Sequence, residues 1–279
     1  MKGTLYLCAT PIGNLGDITL RVIELLKTCQ LIAAEDTRHT LKILNHFDIK
    51  TPMISYHEHN KETRGKHLIE KLNEGINIAL VTDAGMPGIS DPGADLVSLC
   101  YAEEVPVTVA PGANAALSAL VLSAMDTRRF IFEGFLPTDK KEKAKVLKRI
   151  EKEERTVIFY EAPHRLVETI FDLEKATCNR NAACIRELTK RYEEVKKDSL
   201  SNLLAFYEEN SPKGEFVIVV EGANGEEIRQ EEIRMYEEMG LDVHMQIYLE
   251  KGMSEKDAMK QVAKDRGVSK RDIYTKIKR

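Results

Sequence analysis

Short apolar runs alternate with longer amphipathic stretches from the amino terminus onward. Runs at 4–9, 31–34, 53–56, 78–82 and 105–109 have the length and branched content of buried strands. Stretches at 19–28, 39–47, 61–73 and 93–102 repeat their apolar residues with helical spacing. Strict alternation of this kind predicts a parallel or mostly parallel sheet joined by crossover helices. Asp17 or Thr19 can cap the first helix, and Gly75 can end the third.

The pattern changes near residue 112. A helix rich in small residues over 113–124 precedes strands at 130–136, 156–161, 182–188 and 215–221, with helices at 140–153, 163–176 and 201–209. This spacing predicts a second α/β unit with more antiparallel pairing. Beyond Gly222 only helical patterns remain, with cap-like segments Ser254-Glu255-Lys256-Asp257 and Ser269-Lys270-Arg271-Asp272 on either side of Gly267. Two short capped helices in tandem suggest a helix-turn-helix-like appendage. The expected division is an α/β domain over 1–111, a second over 112–222 and a helical basic extension over 223–279.

Composition narrows the class. Among 279 residues, 43% are hydrophobic and 31% charged, as in an ordinary globular protein. No apolar run is long enough to span a bilayer, and the first residues lack a signal-peptide pattern. Five cysteines without a Cys-x-x-Cys pair read as reduced, small hydrophobes, which predicts a cytoplasmic location. The net charge of −4 conceals an asymmetry. Residues 251–279 hold ten Lys/Arg against four Asp/Glu, whereas the other 250 residues hold 31 against 41. A basic tail on an acidic body suits a polyanion touched locally, although charge runs also occur as plain solvated faces.

Two strand-end loops carry the strongest chemical signal. Asp83-Ala84-Gly85-Met86-Pro87-Gly88-Ile89-Ser90-Asp91-Pro92-Gly93 follows one apolar run, and Pro111-Gly112-Ala113-Asn114-Ala115-Ala116 follows another. Crevices beyond the carboxyl ends of strands are where open α/β sheets bind ligands. Small residues there let the backbone approach a flat polar cofactor closely. A third loop, Ala9-Thr10-Pro11-Ile12-Gly13-Asn14-Leu15-Gly16-Asp17, matches neither the dinucleotide fingerprint nor the P-loop.

Three polar clusters stand beside these loops. In Glu35-Asp36-Thr37-Arg38-His39, capping accounts for Asp36 or Thr37 but not for the other three. Glu161-Ala162-Pro163-His164-Arg165 sets a basic pair in a first helical turn, where the dipole disfavours it. Arg186-Glu187-Leu188-Thr189-Lys190 follows a strand. His57-Glu58-His59 lacks a third ligand, so no metal site is expected.

Taken in order, Ala9–Asp17, Glu35-Asp36-Thr37-Arg38, the Asp83–Gly93 loop, Glu133-Gly134-Phe135-Leu136-Pro137, Glu161-x-Pro163-His164-Arg165 and Arg186-Glu187-Leu188-Thr189-Lys190 resemble the RsmI family. These are 16S rRNA cytidine 2′-O-methyltransferases within the tetrapyrrole-methylase superfamily. The resemblance runs from residue 4 to about 222. Where many relatives have Pro-Gly-Pro-Ser, this chain has Pro111-Gly112-Ala113-Asn114.

The resemblance implies S-adenosyl-L-methionine (SAM) in a cleft between two α/β domains, a homodimer, and methylation of the ribose of cytidine 1402 in the small ribosomal subunit. Carried onto this sequence, it places the cofactor at Asp83, Ala84, Gly85 and Ala113, with Pro11, Pro87, Asn114 and Leu188 as further candidates. RNA would meet Arg38, His39 and Arg186. Glu161 or His164 is the expected proton acceptor, and Arg165 or Lys190 the expected support for the developing oxyanion. A tetrapyrrole or corrin-precursor C-methyltransferase and a non-enzymatic nucleic-acid-binding regulator are the competing readings.

Overall fold

The computed structural model describes residues 1–277. Its first half forms one sheet from β1 (Leu5–Cys8), β2 (Leu31–Ala34), β3 (Met53–Ser55), β4 (Ile78–Val81) and β5 (Val107–Ala110). Their order is β3-β2-β4-β1-β5, and every neighbouring pair is parallel. Parallel pairing requires crossovers. These are α1 (Leu20–Thr28), α2 (Thr37–His46), α3 (Lys61–Asn73) and α4 (Gly93–Ala102). Helices cover both faces, so the central strands β1, β2 and β4 are almost entirely apolar. Along β4, Ile78 and Leu80 pack with Leu68, Leu72 and Leu96, while Ala79 and Val81 pack on the opposite face with Val22, Leu26 and Leu44.

The second sheet has order β6-β7-β10-β8-β9. It comprises β6 (Phe130–Phe135), β7 (Thr156–Glu161), β8 (Asn181–Arg186), β9 (Glu194–Ser199) and β10 (Phe216–Val220). Only β6 and β7 are parallel; the remaining pairs are antiparallel, as the spacing predicted. α5 (Ala115–Ser123) leaves the first sheet and covers one face of the second, where Ala116, Ala119 and Leu120 meet Ile158, Val217 and Val219. α6 (Lys140–Ile150), α7 (Leu166–Ala176) and α8 (Leu200–Glu209) cover the other, around Phe159, Phe216, Ile218 and Val220.

Four helices follow: α9 (Gly225–Glu238), α10 (Leu241–Glu250), α11 (Glu255–Asp265) and α12 (Lys270–Ile277). The last three share a small core of Met245, Ala258, Val262 and Ile273. The chain thus has the predicted two-sheet α/β architecture with a helical extension.

Several local expectations need correction. β9 has no counterpart in the sequence reading, because this edge strand alternates only partly buried with exposed positions and holds one apolar residue, Val195. β5 begins two residues late, after Pro106, which has no N–H to donate to the sheet. Residues Pro163–Arg165 form a 3₁₀ turn, and α7 proper starts at Leu166. Thr19 caps α1 through the Val22 N–H at 3.2 Å, whereas Asp17 lies inside a 3₁₀ turn capped by Asn14. Gly75, at φ +92°, does follow the end of α3. Among the described residues, no helix is long and apolar enough to cross a membrane.

Candidate active site

β1 and β4 lie side by side, so the loops leaving their carboxyl ends meet. Thr10 and Gly85 exchange backbone hydrogen bonds in both directions, at 2.9 and 3.1 Å. Gly85 takes φ +82°, and a Cβ there would lie 3.3 Å from Ile12 Cγ2 and 3.4 Å from the Ala113 carbonyl oxygen. All three strand-end loops therefore converge on a glycine. The loop beyond Gly85 is held by Asp91, whose carboxylate accepts N–H bonds from Gly88 (2.9 Å), Ile89 (3.1 Å) and Gly93 (2.7 Å).

Two more carboxylates stand at these strand ends. Glu35 accepts from the Thr82 hydroxyl, and Asp83 accepts from the Asp36 N–H at 3.0 Å. Burial, then the charge of Glu35, pushes the Asp83 carboxyl above its ordinary pKa.

The second sheet supplies the facing wall. Glu161 ends β7 with a fully buried side chain, accepting from its neighbour Ala162 N–H (2.9 Å) and the Thr169 hydroxyl (2.6 Å), with the Arg165 guanidinium at 3.5 Å. One residue earlier, Tyr160 accepts from Ala116 N–H at 3.2 Å and packs edge-on to Phe132 and Phe135. The segment after β8 is strained: Glu187 and Thr189 both take positive φ, +51° and +63°. A β-branched residue in that region is an outlier that the surroundings must enforce. Lys190 enforces part of it, bonding Glu187 at 2.9 Å and Glu215 at 2.8 Å. Burial opposes the Lys190 charge, but Glu215 and Glu187 outweigh it and hold the pKa above its ordinary value. Its stem lies over Gly13, where a Cβ would fall 2.3 Å from Lys190 Cγ.

Between these walls is a cavity of about 530 Å³. That lies within the range of small-molecule sites. Of the predicted cofactor residues, Asp83, Ala84, Gly85, Asn114 and Leu188 line it; Glu161 does as well. Asn114 also caps α5, accepting from Leu117 N–H at 3.0 Å. Pro11, Pro87 and Ala113 are not on the wall: Pro11 is buried, and Ala113 backs Gly85.

Apart from Glu161, the predicted proton-transfer and RNA residues lie outside the cavity wall. His164 is exposed directly after the wall residues Ala162 and Pro163. Arg165 is tied to the Leu136 carbonyl. Arg186 pairs with Glu194 at 3.1 Å, Arg38 pairs with Asp36 at 2.7 Å while 90% exposed, and His39 is exposed. Sequence reasoning assigned no role to several wall residues, Tyr160, Phe135, Phe216, Ile12 and Glu215, and singled out Glu35 only as part of a polar cluster. Alternation alone gave no signal for Tyr160, since successive strand residues face opposite sides and Tyr160 and Glu161 both reach the cavity only because β7 ends at it. Thr189 adds a further group, a hydroxyl with no hydrogen-bond partner among the described residues.

The mixture suits a cationic, partly apolar ligand. Glu35, Asp83 and Asp91 gather at the first-sheet end, and Ile12, Phe135, Leu188 and Val217 add apolar surface, with Glu161 and Glu215 on the second-sheet side.

Comparison with known proteins agrees with this architecture. The profile of the Tetrapyrrole (Corrin/Porphyrin) Methylases matches residues 4–204. The chain is 52% identical over 273 residues to the ribosomal RNA small subunit methyltransferase I of Halalkalibacterium halodurans, covering 98% of this chain and 94% of that one. Against the protein of the same name from Bacillus subtilis it is 48% identical over 272 residues, covering 98% and 93%. Among solved structures, a diphthine synthase superposes with a TM-score of 0.64 at 16% identity, over 79% of this chain and 90% of that one. A uroporphyrin-III-C-methyltransferase from Thermus thermophilus superposes with 0.56 at 16% identity, over 78% and 94%. At such identity these two likenesses concern the fold, whereas identity near one half over almost the whole length settles kinship: the chain belongs to the ribosomal RNA small subunit methyltransferase I family, within the tetrapyrrole methylases.

Proposed function

We propose that this protein methylates the ribose 2′-hydroxyl of cytidine 1402 in 16S rRNA, using SAM, as a cytoplasmic homodimer. The observation that carries the reading is the cavity where both sheets' strand ends meet, in a chain about half identical to named rRNA methyltransferases. Its glycine cradle and its carboxylate end support SAM as the occupant. SAM supplies an electrophilic methyl group on a sulfonium sulfur. Asp83, Ala84, Gly85, Asn114 and Leu188 would hold it, with the Glu35–Asp83 pair favouring its positive charge.

The remaining chemistry falls to side chains on the rim. A 2′-hydroxyl is a weak acid and needs its proton accepted as it reacts, an assistance worth about 10²–10⁴-fold. Glu161 is a poor acceptor because both its oxygens are already bonded and its side chain is sealed from solvent. His164 is better placed, exposed on the lip. Lys190, held protonated by two glutamates, steadies negative charge on the ribose oxygen or a phosphate. Arg38, His39 and Arg186 lie outside the wall and serve RNA contacts. For the homodimer, support comes from α5, which leaves Leu117, Val121 and Leu122 exposed beside exposed Val109.

The test is methyl transfer from labelled SAM to small subunits lacking this modification, against a porphyrinoid precursor as the competing substrate. Label on the ribose of cytidine 1402 is expected. Transfer to the porphyrinoid alone, or to neither, overturns the reading.

A further inference from the structure

The carboxyl-terminal helices carry a charged face that the cavity does not use. α11 buries Ala258, Val262 and Ala263 against Met245 of α10 and Ile273 of α12. Lys256, Lys260 and Lys264 recur every fourth residue on the same helix, and all three are exposed. Lys260 and Lys264 stand two positions from Val262, about 200° around the axis, and Lys256 lies at the edge of the buried face near Ala263, so the three form an exposed stripe along one flank of the helix. Helical rise spaces their roots by roughly 6 Å. This is close to the separation of successive phosphates along a nucleic-acid strand.

Lys270 and Arg271, both exposed, begin the adjoining helix. Among the described residues, none of these five cations forms an ion pair. Three of the four local acids are turned to other tasks, and the fourth, Glu255, is exposed. Asp257 and Asp272 accept the hydroxyls of Ser254 and Ser269, each at 2.6 Å, and Asp265 accepts from Tyr248 (2.6 Å) and Gln261 (2.9 Å). Surface lysines are commonly matched by acids three or four residues away, as Lys71, Lys145 and Lys148 are here. On α11 the acid at that spacing, Asp257 three residues before Lys260, accepts the Ser254 hydroxyl instead, while the body of the chain is acidic.

We propose that the Lys256–Lys260–Lys264 stripe, with the start of α12, docks the phosphate backbone of the substrate RNA at a distance from the cavity. The inference rests on the rRNA reading above and adds a second contact to it. Such a contact is sequence-independent and salt-sensitive, supplying affinity and orientation rather than nucleotide choice.

The experiment uses the full chain with Lys256→Gln, Lys260→Gln and Lys264→Gln combined. A second variant carries Arg at the same three positions. Methylation of unmodified small subunits, binding of protein-free 16S rRNA across a salt series, SAM affinity and sedimentation are measured for all three proteins. The glutamine variant should show a KM for RNA raised about 10- to 100-fold at low salt. Its slope of log affinity against log salt should be shallower by roughly 2 to 3. Its kcat, SAM affinity and assembly state should match the parent, and the arginine variant should restore both RNA readouts.

Unchanged KM and slope, with an active parent, overturn the docking proposal alone. A parent that methylates no subunit overturns the rRNA reading itself. Weaker action on subunits with normal binding of protein-free RNA would assign the stripe to a protein of the particle. A changed sedimentation coefficient with normal RNA binding would assign it to a second copy of the chain; either result also overturns the proposal.

Discussion

Gly85 is the sharpest point at which to test the cradle, because the same loop contains its own control. At φ +82° a side chain costs about 1–2 kcal/mol in torsional strain. A methyl group at Gly85 also meets Ile12 Cγ2 at 3.3 Å and the Ala113 carbonyl at 3.4 Å. The carbonyl is in ordinary contact, and the isoleucine methyl must give by a few tenths of an ångström, narrowing the cavity beside the cradle. Gly88 has φ +87°, with its nearest neighbour, Ala94 N, at 3.7 Å, and it lies off the cavity wall. Gly85→Ala and Gly88→Ala should therefore lose similar stability. A chain of this size loses about 2–4 °C in Tm per kcal/mol, so each variant should melt about 2–8 °C lower. Only Gly85→Ala should also weaken SAM binding, by about tenfold, equivalent to about 1.4 kcal/mol. Titration calorimetry on both variants decides the matter. Equal SAM affinities would refute the assignment of the cradle, and an unshifted Tm in Gly88→Ala would refute the strain argument.

Three shorter tests probe the surrounding groups. Thr169→Val removes a 2.6 Å hydrogen bond to the buried Glu161 carboxylate, a loss of about 1.5–3 kcal/mol, visible as a lower Tm; an unchanged melt would mean the carboxylate finds another donor. His164→Gln should lower kcat by up to about 10²–10⁴-fold with SAM affinity intact, and full turnover in this variant would remove the imidazole from the mechanism. Asp83→Asn should stabilise the free protein at pH 7 by on the order of 0.5 kcal/mol, solvent screening keeping the gain small. The sign follows from the raised carboxyl pKa: the folded state holds this proton more tightly, so the group's favourable contribution is present below the ordinary value and is lost as pH rises through the folded value. The gain should shrink as pH approaches 4, and a gap independent of pH would contradict it.

The first sheet was legible because its strands are buried on both faces, so strand and helix patterns alternate without ambiguity. The loops were legible because glycine and proline are tied to backbone demands, as at Gly85. β9 was not, since an edge strand needs no continuous apolar run, and its Lys196 and Lys197 look like loop. Site membership was legible only in part. Position in a motif identified Asp83 and Leu188, but Pro11, Pro87 and Ala113 share those motifs and shape the wall from behind. Tyr160 and Phe216 read as core strand residues, and only the meeting of two sheets turns them toward a ligand. Glu161 and Arg165 are held by contacts with Thr169 and Leu136, which lie outside the Glu161–Arg165 motif and so are invisible in it.

Five carboxylates border the cavity, and their partners differ in a way that bears on ligand charge. Asp91 is tied to three backbone N–H groups, Glu161 faces Arg165, and Glu215 holds Lys190. Glu35 and Asp83 accept from neutral donors only, and the charge of Glu35 opposes ionisation of Asp83. A cation bound beside them relieves that opposition and draws the Asp83 pKa down toward its ordinary value. Binding of a sulfonium ligand should therefore release protons in the interval between the ordinary carboxyl value and the raised one, and fewer as pH climbs above it. Calorimetric titration of SAM at pH 5 in two buffers of different ionisation enthalpy reads this directly, as a buffer-dependent heat that shrinks toward pH 7. Asp83→Asn should abolish the dependence at pH 5. Heats that match between buffers at both pH values would show that the ligand's charge lies elsewhere, and would move the cationic end of the site away from Glu35 and Asp83.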